Sequence, residues 1–278
     1  AFTLIGRSLR RTALPVGDLM EAAGRVEAGD YTARVAERGP REVRALTRAF
    51  NEMTERLQKN EEQRRNLLAD VTHELRTPLT VVQGNLEALL DGVYPPDEAH
   101  LSPILEETRV LSRLIDDLRT LALAESGALK LQREQTDLEV LMNEAAASFQ
   151  AQADAAGIEL SLSVADLPLL DIDPVRVREV LANLIANALR YTPRGGKIQV
   201  TGAVTEKGVA VSIRDTGSGI DPEDLPHIFD RFYKSADSRG TGLGLTIAKN
   251  LVAAHGGDIV AESDGAPGRG TTIRFTLP

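Results

Sequence analysis

The 278-residue sequence has no cysteine, which removes a disulfide framework and any thiolate metal site and fits a reducing compartment. Aromatic residues make up only 4% of the chain, so little is available to stack on nucleic-acid bases. Lys and Arg number 32 against 41 Asp and Glu, a net charge of −9. A surface of that sign does not grip a phosphate backbone, and no nucleic-acid partner is expected. Long apolar runs are missing too: nothing approaches the roughly 20 residues that span a bilayer. Ala1-Phe2-Thr3-Leu4-Ile5, followed by Arg7, Arg10 and Arg11, reads two ways. It is the inner end of a membrane helix, whose arginines mark the cytoplasmic side, or an ordinary helix start.

What is present is a globular composition, 42% hydrophobic and 26% charged, long enough for two domains and a small third. Val43, Leu46, Phe50, Met53 and Leu57 follow the 3-4 spacing of a coiled-coil seam. A polar stretch at 58–66 interrupts it, and the stripe resumes at Leu68, Val71, Leu75, Leu79, Val82, Leu86 and Leu89. Pro95-Pro96 in the 91–97 segment breaks the helix. A second stripe runs through Leu101, Ile104, Thr108, Leu111, Ile115, Leu118 and Ala122. Two helices joined this way form an antiparallel hairpin with one uncovered apolar seam, which two copies would bury as a four-helix bundle. After Glu125-Ser126-Gly127 the pattern changes. Strand alternation at Ile198/Val200/Val204, Val209/Val211/Ile213 and Ile273/Phe275/Leu277 mixes with helical patterns at 175–191 and 243–255. That predicts an α/β domain of about 150 residues.

Four segments carry candidate chemistry. In Val71-Thr72-His73-Glu74-Leu75-Arg76-Thr77-Pro78, helical spacing puts His73 about 200° from Val71, on the outward face, with Thr77 one turn further along it. Exposed histidines titrate near about pH 6.5 and are mostly neutral at pH 7, leaving one ring nitrogen able to attack. A solvated surface histidine is the plainer reading. A zinc-protease helix is excluded, because that motif needs histidine where Thr77 stands. In the helix at 175–191, Asn183, Asn187 and Arg190 make a polar stripe apart from the core face Val177, Val180, Leu181, Leu184 and Ala188. Amide oxygens at that spacing suit Mg2+ and Arg190 suits a phosphate. A plain solvent face would more often carry Glu and Lys than asparagines of poor helix propensity.

The third segment is Asp215-Thr216-Gly217-Ser218-Gly219-Ile220. Asp215 shares parity with Val209, Val211 and Ile213, so its carboxylate points inward, where it needs a donor such as the exocyclic amine of adenine. Gly217 and Gly219 permit a tight turn and close ligand approach, and a turn alone is the competing reading. The fourth, Gly240-Thr241-Gly242-Leu243-Gly244-Leu245, opens a helix and leaves backbone N–H groups for phosphate. Its spacing is neither the Rossmann pattern nor a P-loop. Between these two lies Phe229-Asp230-Arg231-Phe232-Tyr233-Lys234 and a polar run at 235–239, an aromatic anchor with a loop of the kind a mobile lid needs.

Taken together and in this order, the segments resemble the sensor histidine kinases of bacterial two-component systems over nearly the whole chain. Residues 73–79 look like the H box, 183–191 the N box, 215–219 and 240–244 the two glycine boxes, and 229–232 the F box. Residues from about 15 to 57 are similar to a HAMP linker with its Ala49-Phe50-Asn51-Glu52-Met53 signature, although Arg41-Glu42 stands where an acidic pair is usual. The resemblance implies a membrane-helix remnant at 1–12, HAMP at 13–60, a dimerisation and phosphotransfer domain at 61–127, and an ATP-binding domain at 128–278. The fold it implies is an all-α linker and hairpin, a four-helix bundle in the homodimer, followed by a two-layer α/β sandwich of the gyrase type.

The activity implied is ATP-dependent autophosphorylation of His73 and transfer to an aspartate of a response regulator receiver domain, with phosphatase activity toward the phosphorylated regulator. Glu74 and Thr77 act with His73. Asn187 binds Mg2+ and Asn183 supports it, and Asp215 binds adenine. The rest of the ATP contacts fall on Arg190, Tyr191, Gly217, Gly219, Ile220, Phe229, Phe232, Tyr233, Lys234, Gly240, Thr241, Gly242, Leu243 and Gly244. Lysine is more usual where Arg190 stands. The implied location is the cytoplasmic portion of a plasma-membrane sensor, attached only through a segment before residue 1. The alternatives are a nucleotide-gated interaction module without kinase activity, and a gyrase-like ATPase.

Overall fold

The computed structural model describes residues 2–164, 166–206, 208–234, 240–265 and 268–278, with side chains from residue 14 onward. The lid expected at 235–239 therefore lies outside the described residues. The chain divides into two compact units, Ala1–His73 and Glu74–Pro278.

In the first unit, helix α1 (Phe2–Glu27) is joined by an irregular connector to α2 (Arg41–Leu90). Ala22, Ala33, Val35 and Phe50 form its small core, with Leu19 and Val26 packed against them. Asn51 explains how the connector is held. Its Oδ1 accepts from the Val35 N–H at 2.9 Å and its Nδ2 donates to the Val35 carbonyl at 2.8 Å. One amide thus replaces the ladder partner that an extended residue otherwise lacks. The hydroxyls of buried Thr47 and Thr54 donate back to the carbonyls of Val43 and Phe50.

Helix α2 is continuous for 50 residues. The polar stretch at 58–66, where the apolar stripe lapses, stays helical. Good helix formers and one-turn pairs support it: Glu55–Lys59, Gln58–Glu62 and Glu61–Arg65. It also runs through Pro78, which has no N–H to give the carbonyl of Glu74. The helix ends where Val93 and Tyr94 both donate to the Ala88 carbonyl. Helix α3 (Glu98–Glu125) starts at Asp97, whose carboxylate caps the His100 N–H. Pro95 and Pro96 lie in the break between them.

The remainder of the second unit is an α/β sandwich. Strands β1 (Glu134–Thr136) and β3 (Leu170–Ile172) form a small antiparallel pair. The main sheet contains β2 (Glu159–Val164), β4 (Lys197–Thr205), β5 (Gly208–Asp215), β6 (Ile259–Ser263) and β7 (Thr271–Leu277), in the order β2-β4-β5-β7-β6. Only β2–β4 is parallel. Helices α4 (Leu138–Ala156), α5 (Pro174–Tyr191) and α6 (Gly244–Ala254) complete the unit. Ile198, Val200, Val211, Ile213 and Phe275 meet Leu181, Leu184, Ile185, Ile247 and Leu251 in one core. Leu114 and Leu121 of α3 are buried in that same cluster, with Leu75 and Leu118 packed on it. The α/β pattern expected from alternation is present, and the strands at 197–205, 208–215 and 271–277 fall where it placed them.

Candidate functional site

A cavity of about 500 Å³ opens where the last turns of α5, the end of β5 and the start of α6 converge. Asp173 starts α5, its Oδ1 accepting from the N–H groups of Val175 and Arg176 ahead of Pro174 in the first turn. Seven apolar residues of α5 face the core, which turns Asn183, Asn187 and Arg190 toward the cavity. Asn183 Nδ2 is a buried donor with no partner among the described residues. A donor held out of water without a partner is costly, and a ligand in the cavity would satisfy it.

At the end of β5, Asp215 is 7% exposed. Its Oδ1 takes both backbone donors, Gly217 N–H at 2.8 Å and Thr271 N–H at 3.1 Å. Oδ2 is left for a ligand. Burial raises the carboxyl above the ordinary aspartate value, and those N–H donors only partly offset it. Gly242 and Gly244 line the cavity beside Leu245 at the start of α6. The helix opens on Leu243 with no side-chain cap, so its first N–H groups remain available to an anion. Gly242 has φ 72°, and a Cβ there would meet the Phe232 backbone at 2.7 Å. Only glycine lets the turn pass this close.

Of the residues singled out from sequence, Asn183, Asn187, Arg190, Tyr191, Asp215, Gly219, Ile220, Tyr233, Lys234, Gly240, Thr241, Gly242 and Gly244 line the cavity. Gly217, Phe229, Phe232 and Leu243 do not. Leu243 is buried in the core, and the Phe229 ring lies under Lys249. Phe232 takes the left-handed conformation, φ 57°, and its N–H donates to the Gly242 carbonyl at 3.0 Å. His73 and Thr77 are both exposed on α2. Asn183 and Asn187 present two amides to the cavity, and among the described residues no group of three His, Cys, Asp or Glu could hold a metal. A hard ion would find amide oxygen here, with other oxygens supplied by ligand and water. That fits Mg2+ bound alongside phosphates.

Sequence reasoning missed the contribution of α3. Arg113 and Asp117 line the cavity, and no local pattern marks them, because they reach it only through the packing of α3 on the sandwich. The Asp117 carboxyl is pushed up to about 6 by burial, with Glu179 adding repulsion and Arg113 opposing it. Ser218, Asp221 and Asp224 were also missed, although they flank the glycine turn. Two ion pairs tie the segment after Phe229 to the hairpin helices. Arg231 meets Glu125 at 2.5 Å, and Lys234 meets Glu74 at 2.7 Å.

Comparison with known proteins agrees with this geometry. Residues 7–59 match the HAMP domain, 63–127 the His Kinase A (phospho-acceptor) domain, and 172–278 the histidine kinase-, DNA gyrase B- and HSP90-like ATPase family. The chain is 36% identical over 269 residues to the signal transduction histidine-protein kinase BaeS of Escherichia coli, covering 95% of this chain and 57% of BaeS. It thus spans little more than half of that curated relative. The solved structure of histidine kinase AdeS from Acinetobacter baumannii is 33% identical with a TM-score of 0.63, covering 73% of this chain and 95% of AdeS. Histidine kinase ThkA, solved in complex with the response regulator protein TrrA, is 25% identical with a TM-score of 0.61, covering 80% and 64%. With the phospho-acceptor and ATPase domains in order, and with 95% of AdeS matched at 33% identity, the chain belongs to the sensor histidine kinases of two-component systems.

Proposed function

We propose that this chain uses ATP to phosphorylate His73 and then passes the phosphoryl group to an aspartate of a response regulator. The observation that carries the reading is the cavity, where the asparagine stripe of α5, the buried Asp215 and the glycine turn at α6 converge from segments far apart in sequence. Asp215 Oδ2 accepts from the adenine amine, while Arg190 and the N-terminus of α6 face the phosphates. Asn187 and Asn183 would hold Mg2+, which when bound neutralises phosphate charge.

Phosphoryl transfer has a loose transition state, so positioning and charge neutralisation supply most of the catalysis. A neutral imidazole nitrogen of His73 forms the N–P bond as the bond from γ-phosphorus to the bridging oxygen breaks and ADP leaves. The imidazole proton passes to Glu74, its neighbour in sequence. Position 183 carries an amide, which cannot act as general base for water, so the arrangement favours transfer over hydrolysis. The likeness to a kinase solved with its regulator, and the uncovered apolar stripe on α2, support a homodimer that docks a receiver domain. The HAMP match supports a membrane-anchored sensor. Among the described residues, no helix is long and apolar enough to cross a membrane. Incubation with γ-labelled ATP and Mg2+ tests the activity. An acid-labile, base-stable phosphoprotein is expected, and steady ATP turnover without one would refute it.

A further inference from the structure

The Lys234 ammonium has two claimants. It lies 2.7 Å from Glu74 Oε2, with the two side chains 25% and 26% exposed, and it also lines the cavity. The cavity end it serves is the phosphate end, because two residues earlier the Phe232 N–H is bonded to the Gly242 carbonyl in the glycine turn. The backbone leading into it is held at two points. Arg231 is tied to Glu125 at the end of α3, and Phe232 is fixed in the one positive-φ conformation adopted by a non-glycine residue among those described. Such strain persists only where the surroundings impose it. The backbone is therefore anchored, while four methylenes leave the ammonium free to reorient.

We propose that Lys234 couples occupancy of the phosphate end of the cavity to Glu74. A carboxylate offers one negative charge and a triphosphate several, so a bound triphosphate outcompetes Glu74 for the ammonium. Glu74, next to His73 in sequence, then gives up its lysine and is left with a carboxylate free to take a proton, as a proton acceptor requires. Nucleotide arrival thus switches the carboxylate from an ion-pair partner to a base. This rests on the ATP reading above and adds a rule for when Glu74 acts. Arg231 supplies the internal control, since it makes the sister ion pair but does not line the cavity.

The test is a double-mutant cycle on binding, read by calorimetry with the β,γ-imido analogue of ATP and with adenosine, on the full chain. Glu74→Gln frees the ammonium and tightens the analogue about twofold to fivefold, the range for a partly exposed pair, while adenosine affinity stays constant. Glu74→Ala acts in the same direction, and Lys234→Arg keeps the effect. In a Lys234→Ala background Glu74→Gln changes nothing, whereas in an Arg231→Ala background the tightening persists. Equal analogue affinity in parent and Glu74→Gln, or tightening that survives Lys234→Ala, overturns the coupling and leaves the ATP reading intact. Failure of the parent to bind the analogue at all overturns both.

Discussion

Asn187 and His73 are assigned separable tasks, one in holding the phosphates of the nucleotide and the other in receiving one of them. Asn187 faces the cavity from α5, and His73 lies on the exposed face of α2. His73→Gln is therefore expected to abolish phosphoprotein formation with ATP affinity unchanged. Asn187→Ala is expected to weaken Mg-ATP binding at least roughly tenfold and to lower phosphorylation with it, since it removes an oxygen from the metal's surroundings. Residual label on the His73→Gln protein would place the acceptor elsewhere. Thr77, one turn beyond His73 on the exposed face, has no part in the forward transfer as derived. We propose that its side chain serves the reverse reaction, helping to orient water toward a docked phospho-aspartate. Thr77→Ala should keep autophosphorylation within a few-fold and lose most phosphatase activity toward the regulator. Unchanged phosphatase activity would leave Thr77 only its place before Pro78.

Helix α3 brings a partly buried carboxylate to the cavity. The Asp117 carboxyl is raised from the ordinary 3.8 to about 6, by burial first and Glu179 next. A carboxyl whose folded value exceeds its unfolded value keeps a proton that the unfolded chain has lost. Its contribution therefore falls as pH climbs from about 4 to 6 and stays low above. Asp117→Asn should remove that fall. The melting temperature of the variant relative to the parent should rise over this interval and plateau near neutrality, by about 2–4 °C after discounting for solvent screening. A difference independent of pH would show that Asp117 does not titrate there. The same helix shows what a sequence can disclose. The asparagine stripe on α5 and the parity of Asp215 on β5 were legible, because helix and strand periods fix which face a residue takes. Asp117 was not, because its place in the cavity depends on α3 packing against the sandwich. Helix α4 also went unread: Leu138, Leu141 and Met142 mark its buried face over the first turns only, and beyond them that face continues on Ala145, Ala146 and Ala153, which give little contrast with the exposed side. Strands β1 and β3 are three residues each, too short to show a period. The lapse of the apolar stripe at 58–66 marked a change of surface within one unbroken helix.

At the scale of the molecule, the described residues leave apolar surface uncovered on both hairpin helices. Leu79, Leu86 and Leu90 are 54%, 43% and 85% exposed on α2. At 100° per residue they fall within a sector of about 40°, which makes them a continuous stripe instead of scattered surface leucines. Leu101, Leu105 and Ile115 of α3 are exposed as well. A contiguous apolar face of this kind marks an interface, and a second copy presents the matching one under two-fold symmetry. Leu79→Asp combined with Leu86→Asp places two charges in the seam, where like charges of the two copies repel. The variant is expected to sediment as a monomer while binding Mg-ATP within a few-fold of the parent, because neither side chain lines the cavity. A variant that still sediments as a dimer would move the interface off this stripe. One that loses nucleotide binding as well would show that the cavity depends on the partner.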